Sequence, residues 1–408
     1  MFLIKVAWRN ILRHKRRSLF ALLTILSGVT GIILFGGFVE ANYIGLRESV
    51  IRSQYGHLQI HRAGYEANHR QDPDRYRMPL EQAERVKALL ESNPHVQMTS
   101  RRLEFTALLG NEKNSQASIV RGVDPETETL INSALTIIDG TDLDEEEPEG
   151  VLLGEGLAQA LNVKVGDQLS LLASTVNGVM NAVDVTVQGI FQSFAKEYDD
   201  AAMMMTLPHA QQLLNTQSVD TVVALLDETM ALDAVVADVA DRSRAQDLGI
   251  EWIEWHKLAT FYQKVVDLYD GFFLFINLVI YVVVVFGVAN TMIVTVMERT
   301  AEIGTLRAMG THRGGIVRQF LTEGLMLAVL GAVLGVLAGI ALTYSLNALE
   351  IMMPPPPGSS KGYPLRIAYV PWIWAGSVGA VALIALFATL VPAMQAARKS
   401  IVDALRYV

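Results

Sequence analysis

Four long stretches of the chain carry no charge, and nothing else in the sequence restricts its folding so tightly. Ser18 to Val39, Gly271 to Met297, Gly324 to Ala348 and Pro371 to Met394 lack every Asp, Glu, Lys and Arg. Each exceeds the ~20 apolar residues that cross ~30 Å of hydrocarbon as a helix. Buried helices of soluble domains seldom run so far without a charge, so the stretches read as four transmembrane helices. They also explain why 51% of the 408 residues are hydrophobic and only 18% charged, against ~25% charged in ordinary domains. The first stretch follows a basic segment, as a secretion signal would. It outlasts the ~7–15-residue core of such a signal, and Glu40, Ala41 and Asn42 make a poor cleavage site. A retained anchor is expected.

The flanking charges set the orientation. Lys5, Arg9, Arg13, Lys15, Arg16 and Arg17 precede the first span without an acid among them, and Arg299, Arg307, Arg313 and Arg318 lie between spans two and three. Positive loops stay in the cytoplasm, so both termini are expected there and residues 40–270 outside. The segments are 1–17, a cytoplasmic interfacial helix; 18–39, span one; 40–270, an extracytoplasmic domain between the first and second spans; 271–297, span two; 298–323, a cytoplasmic helix and loop. Residues 324–349 are span three, 350–370 a short outer loop stiffened by Pro354 to Pro357, 371–394 span four and 395–408 a cytoplasmic tail. The net charge of -9 is concentrated in one part: residues 40–270 hold 37 acidic and 18 basic groups. This balance argues against nucleic acid as a partner. The absence of cysteine excludes disulfides, thiolate metal sites and cysteine nucleophiles.

The outward domain reads as α+β, so the fold class is an α-helical membrane protein with a large α+β extracytoplasmic domain. Strand patterns at His57 to His61, Asp184 to Ile190 and Ala202 to Leu207 alternate with helical ones at Leu80 to Ser92 and Pro208 to Asn215. Met203, Met204 and Met205 should place alternate side chains in its core. The acidic run Asp142 to Glu149 is a solvated loop, without the glycine-bearing spacing of a calcium loop. His57 and His61, with His69 nearby, read as a surface pair on a strand rather than as metal ligands, and no metal site is expected.

Two short elements flank the spans. Ile4, Trp8, Ile11 and Leu12 recur at helical spacing beside Lys5, Arg9 and Arg13, as on a helix lying among anionic headgroups. Trp252, Trp255, Phe261, Tyr262 and Tyr269 cluster before span two like an aromatic belt. Both read as membrane anchors or as transmitters of movement into the spans. In span three, Gly331, Gly335 and Gly339 share one helix face on which another helix can pack closely, within the chain or in a dimer.

The most informative stretch is Glu298-Arg-Thr-Ala-Glu-Ile-Gly-Thr-Leu-Arg-Ala-Met-Gly310, followed by Gln319, Phe320 and Glu323. Arg299 and Glu302 are one turn apart and can pair, and Gly310 suits a helix terminus. The physical reading is a short amphipathic helix along the inner face, on which a soluble partner can push.

Glu298, Arg299, Glu302, Ile303, Gly304, Arg307, Ala308 and Gly310, with Gln319, Phe320 and Glu323, resemble the hallmark E-R-x-x-E-I-G-x-x-R-A-x-G…Q-F-x-x-E of the FtsX-like (MacB/LolC/LolE-type) family of ABC transporter permeases. The ending with Ala396, Ala397, Arg398 and Ala404-Leu405-Arg406 is similar to the same family's, as is the layout of one span, a large outward domain and three spans. Gly156 to Asp167 and Gly56 to Ile60 look closest to the lipoprotein-releasing branch. The resemblance implies an inner-membrane permease, not an enzyme, whose Glu298, Arg299, Glu302, Gly304, Arg307, Ala308 and Gly310 seat on an ATPase. That ATPase must be a separate chain holding ATP and Mg, since no G-x-x-x-x-G-K-[ST] phosphate loop occurs here, and the permease itself holds no cofactor. The other implied partners are a second permease copy or paralogue, membrane lipids, a lipoprotein substrate and a periplasmic carrier or adaptor. Lipoprotein or lipid extraction, efflux of peptides or small molecules, and a non-transporting regulator all remain open on these residues.

Overall fold

The computed structural model describes residues 2–13, 15–69, 71–111, 113–354 and 362–399. The proline loop from Pro355 through Gly358 to Lys361, the ending Ala404-Leu405-Arg406 and the side chain of Ile4 lie outside what is described. Two compact units emerge, one containing the long apolar helices and the other formed by Gly45–Lys264 with a short later segment.

Four helices are long and apolar enough to cross a membrane. In the helical unit we label α1 Phe2–Arg13, α2 Lys15–Val50, α3 Thr260–Glu298, α4 Thr300–Ala308, α5 Arg313–Ala348 and α6 Pro371–Arg398. The helices outrun the charge-free blocks because backbone hydrogen bonding continues past the apolar residues. α5, for example, already begins at Arg313. Ile25, Val29 and Ile33 of α2 are buried with Val284 and Val288 of α3, Leu327 and Ala332 of α5, and Val381 and Ala385 of α6.

The glycine stripe of α5 packs within the chain. A Cβ added at Gly331 would stand 2.8 Å from Ile25, at Gly335 2.8 Å from Val29, and at Gly339 3.0 Å from Ile33. The three glycines thus let α2 approach the α5 backbone, and Thr30 Oγ1 donates to the Gly335 carbonyl at 3.0 Å. α1 divides its apolar residues between two faces: Ala7 and Ile11 are buried, whereas Trp8 and Leu12 stay about half exposed.

The unit of residues 45–264 is built on one ten-stranded mixed sheet. Its strands are β1 Leu58–Arg62, β2 Val96–Gly110, β3 Ser115–Val123, β4 Thr136–Gly140, β5 Gly150–Gly154, β6 Gln168–Ser174, β7 Met180–Gln192, β8 Ala202–Thr206, β9 Thr221–Leu226 and β10 Ile250–Glu254. The order is β10-β1-β9-β2-β3-β8-β5-β7-β4, with β6 bridging β2 and β7. β2 and β3 form an antiparallel hairpin from Arg102↔Val123 to Gly110↔Ser115. At its turn Asn111 Oδ1 accepts from the Lys113 and Asn114 amides at 2.9 and 2.8 Å, a side-chain mimic of a backbone turn. Helix Leu80–Glu91 covers the sheet with Ala83, Val86, Leu89 and Leu90 at helical spacing. Helix Pro125–Ile131 is held by the buried pair Arg102–Glu128 at 2.6 Å.

Burial departs from strand alternation at β8. Met203 and Met205 belong to the main core, and Met204 joins a second cluster with Val123, Leu152 and Phe191 on the opposite face. All three methionines are buried because both faces are covered there. The aromatic cluster divides as well. Trp252 sits on β10 against the core, and Trp255 is buried within it, its ring 5.0 Å from Tyr262. Tyr269, in the helical unit, meets Tyr43 edge-on at 6.3 Å. The tryptophans therefore serve the α/β core, because β-pairing of Ile250–Glu254 with β1 draws them into the sheet layer. His61 and His69 stack on either side of Tyr65 at 4.2 and 4.4 Å. His57 and His61 are buried instead of lying at the surface, because β1, which His57 directly precedes, sits inside the sheet between β9 and β10, and His57 bonds to Thr229 and to the Leu226 amide. Among the described residues no group of three or more His, Asp or Glu side chains could hold a metal.

Candidate functional site

The stretch that carries the sequence hallmark folds into a tight corner. α3 ends at Glu298, α4 occupies only Thr300–Ala308, and Gly310 turns the chain with φ of 94° before α5 starts at Arg313. A positive φ is strained for residues with a Cβ, which explains glycine at this point.

α4 has two dissimilar faces. Ile303 and Gly304 are buried, and Ile303 joins Val296, Ile316, Phe320, Ala393, Ala396 and Ala397 in a small apolar cluster that ties α3, α4, α5 and α6 together. Ala301, Glu302, Thr305, Ala308, Met309 and Gly310 lie exposed on the other side, with Met309 70% accessible. A largely uncharged, methionine-tipped surface of this kind suits contact with a protein partner, since methionine adapts its shape to what it meets.

A polar network fixes the corner. Arg299 is buried, although it directly follows the exposed Glu298. Its Nε donates to Glu302 at 2.8 Å, its Nη1 donates to the buried Glu323 at 3.0 Å, and its guanidinium lies 5.5 Å from the Phe320 ring centre. A buried cation is stable only with its charge and donors matched, and these partners supply the match. The Asn10 carboxamide of α1 completes it. With its oxygen turned to the guanidinium, it accepts from both terminal nitrogens at 3.0 and 3.1 Å. Arg13 of α1 reaches Glu302 at 3.1 Å, and Arg17 pairs with Glu298. Arg299 donating to Glu302, aided by Arg13, holds that carboxyl below the ordinary glutamate value. Arg307 donates to the Lys399 carbonyl beyond α6, and Lys399 Nζ in turn donates to Thr300 Oγ1 at 3.3 Å.

Among the sequence candidates, Arg299 and Glu302 therefore share one network, Glu298 pairs separately with Arg17, Gly304 packs inward, Arg307 braces the end of α6, and Ala308 and Gly310 line the exposed tip. Gly331, Gly335 and Gly339 lie away from this corner on the α5 face toward α2. Asn10, Arg13 and Met309 also belong to the site and were not singled out for it by sequence reasoning. Only the exposure of Met309 had a local signal, an apolar residue set beside a chain-reversing glycine.

Residues 18–242 match the MacB-like periplasmic core domain, and residues 274–401 match the FtsX-like permease C-terminal domain. The chain belongs to the FtsX-like permease family. Its helical corner lies inside the second match and most of its sheet inside the first. Among similar proteins, the lipoprotein-releasing system transmembrane protein LolC of Xylella fastidiosa (strain Temecula1 / ATCC 700964) is 27% identical over 346 residues, 81% of this chain and 82% of that protein. LolC of Neisseria meningitidis serogroup B is 25% identical over 98% of this chain and 99% of its own length. The macrolide export ATP-binding/permease protein MacB of Chlorobaculum tepidum is 34% identical over 121 residues, 30% of this chain and 17% of that protein.

Proposed function

We propose that this FtsX-like permease is the inner-membrane subunit of an ABC transporter that extracts lipoproteins or lipids, with a separate ATPase seated on α4. ATP and Mg belong to that ATPase, and a second permease chain completes the membrane complex. In this reading both termini lie in the cytoplasm and the α/β domain projects into the periplasm between spans one and two. The single observation that carries the proposal is the construction of the corner. The exposed tip of α4 is braced through Arg299, Glu302, Arg307 and Ile303 to α1, α3, α5 and α6. A push on that tip is therefore delivered to several helices at once instead of being absorbed by a loose loop. The similarity to LolC proteins along most of the chain supports lipoproteins as substrate and a periplasmic carrier as recipient. The shorter similarity to MacB supports a second reading, export of small molecules with an adaptor. Copurification of the native complex in mild detergent, with identification of its subunits and bound lipid, separates the two: a lipid-carrier partner fits the first, an adaptor with an outer-membrane channel the second. The ATPase-coupling role is tested by replacing Glu302 and Arg307 together in the reconstituted complex. Transport should fall while ATP hydrolysis continues, and unchanged coupling would refute the role.

A further inference from the structure

The apolar layer on the Met204 side of the sheet leaves a gap. A cavity of about 250 Å3 opens between helix Pro125–Ile131, β4 and the loop at Leu143. Leu135, Ile137, Leu143, Leu152 and Met204 form its apolar walls. A cavity of ~150 Å3 lined by such residues already holds benzene, so a substituted ring or a short alkyl chain fits here. Thr129 and Ser133, both exposed, form part of its rim.

The polar groups of the cavity set what it takes. Asn132, which caps the end of that helix, is 7% exposed and lines the cavity. Its Nδ2 donates to Glu128 Oε1 at 2.8 Å. Its Oδ1 is buried and accepts from no donor among the described residues. A buried acceptor without a partner has lost its water and gained nothing in return. Glu128 makes no such demand, since Arg102 neutralises it at 2.6 Å and Ser100 Oγ donates to it at 2.8 Å. This end of the cavity is therefore dipolar, and what it lacks is one uncharged donor. At the rim, Asp142 accepts from Thr129 Oγ1 at 2.9 Å and pairs with no cation among the described residues, so an anion is repelled. An apolar body with one hydroxyl and no negative charge satisfies all of these conditions.

We propose that the α/β unit binds a small uncharged alcohol or phenol in this cavity, its hydroxyl donating to Asn132 Oδ1, and that the bound molecule acts as an effector on the base of α2. The contacts behind Asn132 supply the route. Glu128 holds Arg102, whose Nη1 donates to the Gln54 carbonyl, and the Ala134 amide donates to the Arg52 carbonyl at 3.0 Å. Arg52 and Gln54 belong to the wide helical turn Ile51–Tyr55 that continues α2. A molecule that orders Asn132 thereby orders both ties to that turn. The site uses no residue of the α4 corner and goes beyond the transport reading.

The chain has no cysteine, so single cysteines report on one place without background. Ser133→Cys at the rim and Ile137→Cys in the wall are made separately in the full-length chain in lipid nanodiscs. Their reaction with a maleimide is timed in the presence of benzyl alcohol, toluene or benzoate. Met230→Cys, at a position 92% exposed and outside the cavity, controls for effects of the probes on lipid or reagent. Benzyl alcohol should slow both cavity thiols and leave the control unchanged. Toluene should need a roughly fivefold higher concentration for equal protection, the worth of one hydrogen bond, and benzoate should not protect. Adding Asn132→Leu should make the two uncharged probes protect alike. Should that variant not fold, benzyl alcohol against toluene in the parent makes the same comparison from the ligand's side. Benzyl alcohol should also slow amide hydrogen exchange at residues 51–56. The binding site is overturned if benzyl alcohol protects neither thiol, if benzoate protects as well, or if toluene matches benzyl alcohol in the parent. Unchanged exchange at 51–56 overturns the effector role. None of these readouts depends on ATP or transport, so a failure of the permease reading would leave them unchanged.

Discussion

Replacing Arg299 by Met should destabilise the helical unit far more than replacing Arg299 and Glu323 together. Arg299 is 7% exposed and Glu323 3%, and they meet at 3.0 Å. Removing the cation leaves a carboxylate in a site closed to water, bordered by Phe320 and its apolar cluster. Breaking a buried pair from one side costs about 3–5 kcal/mol, whereas replacing both members with apolar residues of similar size is often close to neutral. At ~2–4 °C per kcal/mol for a unit of this size, Arg299→Met should melt roughly 6–20 °C below the parent. Arg299→Met/Glu323→Leu should recover most of that difference. Thermal unfolding of the purified chain in detergent, followed by circular dichroism, provides both values, and the double-mutant cycle should give a coupling energy of at least ~2 kcal/mol. If the single variant melts with the parent, or the double variant is no better than the single, the buried pair does not hold the corner.

Other outcomes follow from the same structure. Gly335→Leu should separate α2 from α5, since its Cβ would lie 2.8 Å from Val29 and 2.9 Å from the Leu26 carbonyl; the expected cost is about 1–3 kcal/mol, while Gly376→Ala, with nothing within 4 Å, should be silent in the same unfolding assay. The α/β unit should lose stability in acid. Burial pushes His57 and His61 from 6.5 down to about 4, so both stay neutral in the fold while the unfolded chain takes up protons. Their contribution is complete above pH 6.5 and is lost as pH falls toward 4, by about 3 kcal/mol each. Asp220, which burial raises to about 6, acts in the opposite direction and offsets part of that loss. Denaturant titrations between pH 7 and 4 should therefore show a declining midpoint, flattened in His57→Gln/His61→Gln; a decline of equal slope in that variant would refute the assignment.

Much of the architecture is legible from local chemistry. A stretch without charge long enough to span hydrocarbon forms a helix because nothing in a bilayer can satisfy its backbone except itself, and the four blocks became four helices. Arg299 and Glu302 paired as their three-residue spacing allows, and Gly310 took the left-handed turn. The strands at β1 and β7 were also readable, since alternation and β-branched residues are properties of short windows.

Long-range packing supplied the rest. Glu323 lies 24 residues from Arg299, and Asn10 and Arg13 lie almost 300 residues from the corner they brace; no periodicity links positions so far apart. The glycine stripe announces a close helix contact, but only the packed bundle names Ile25, Val29 and Ile33 as its partners. The same holds for Met204, whose burial depends on a second apolar layer covering its face, and for Trp255, drawn into the core by its neighbouring strand. Hydropathy and helical spacing are written within a few turns of chain, whereas the partner of a buried charge or a flat glycine face is whichever distant segment the fold brings there.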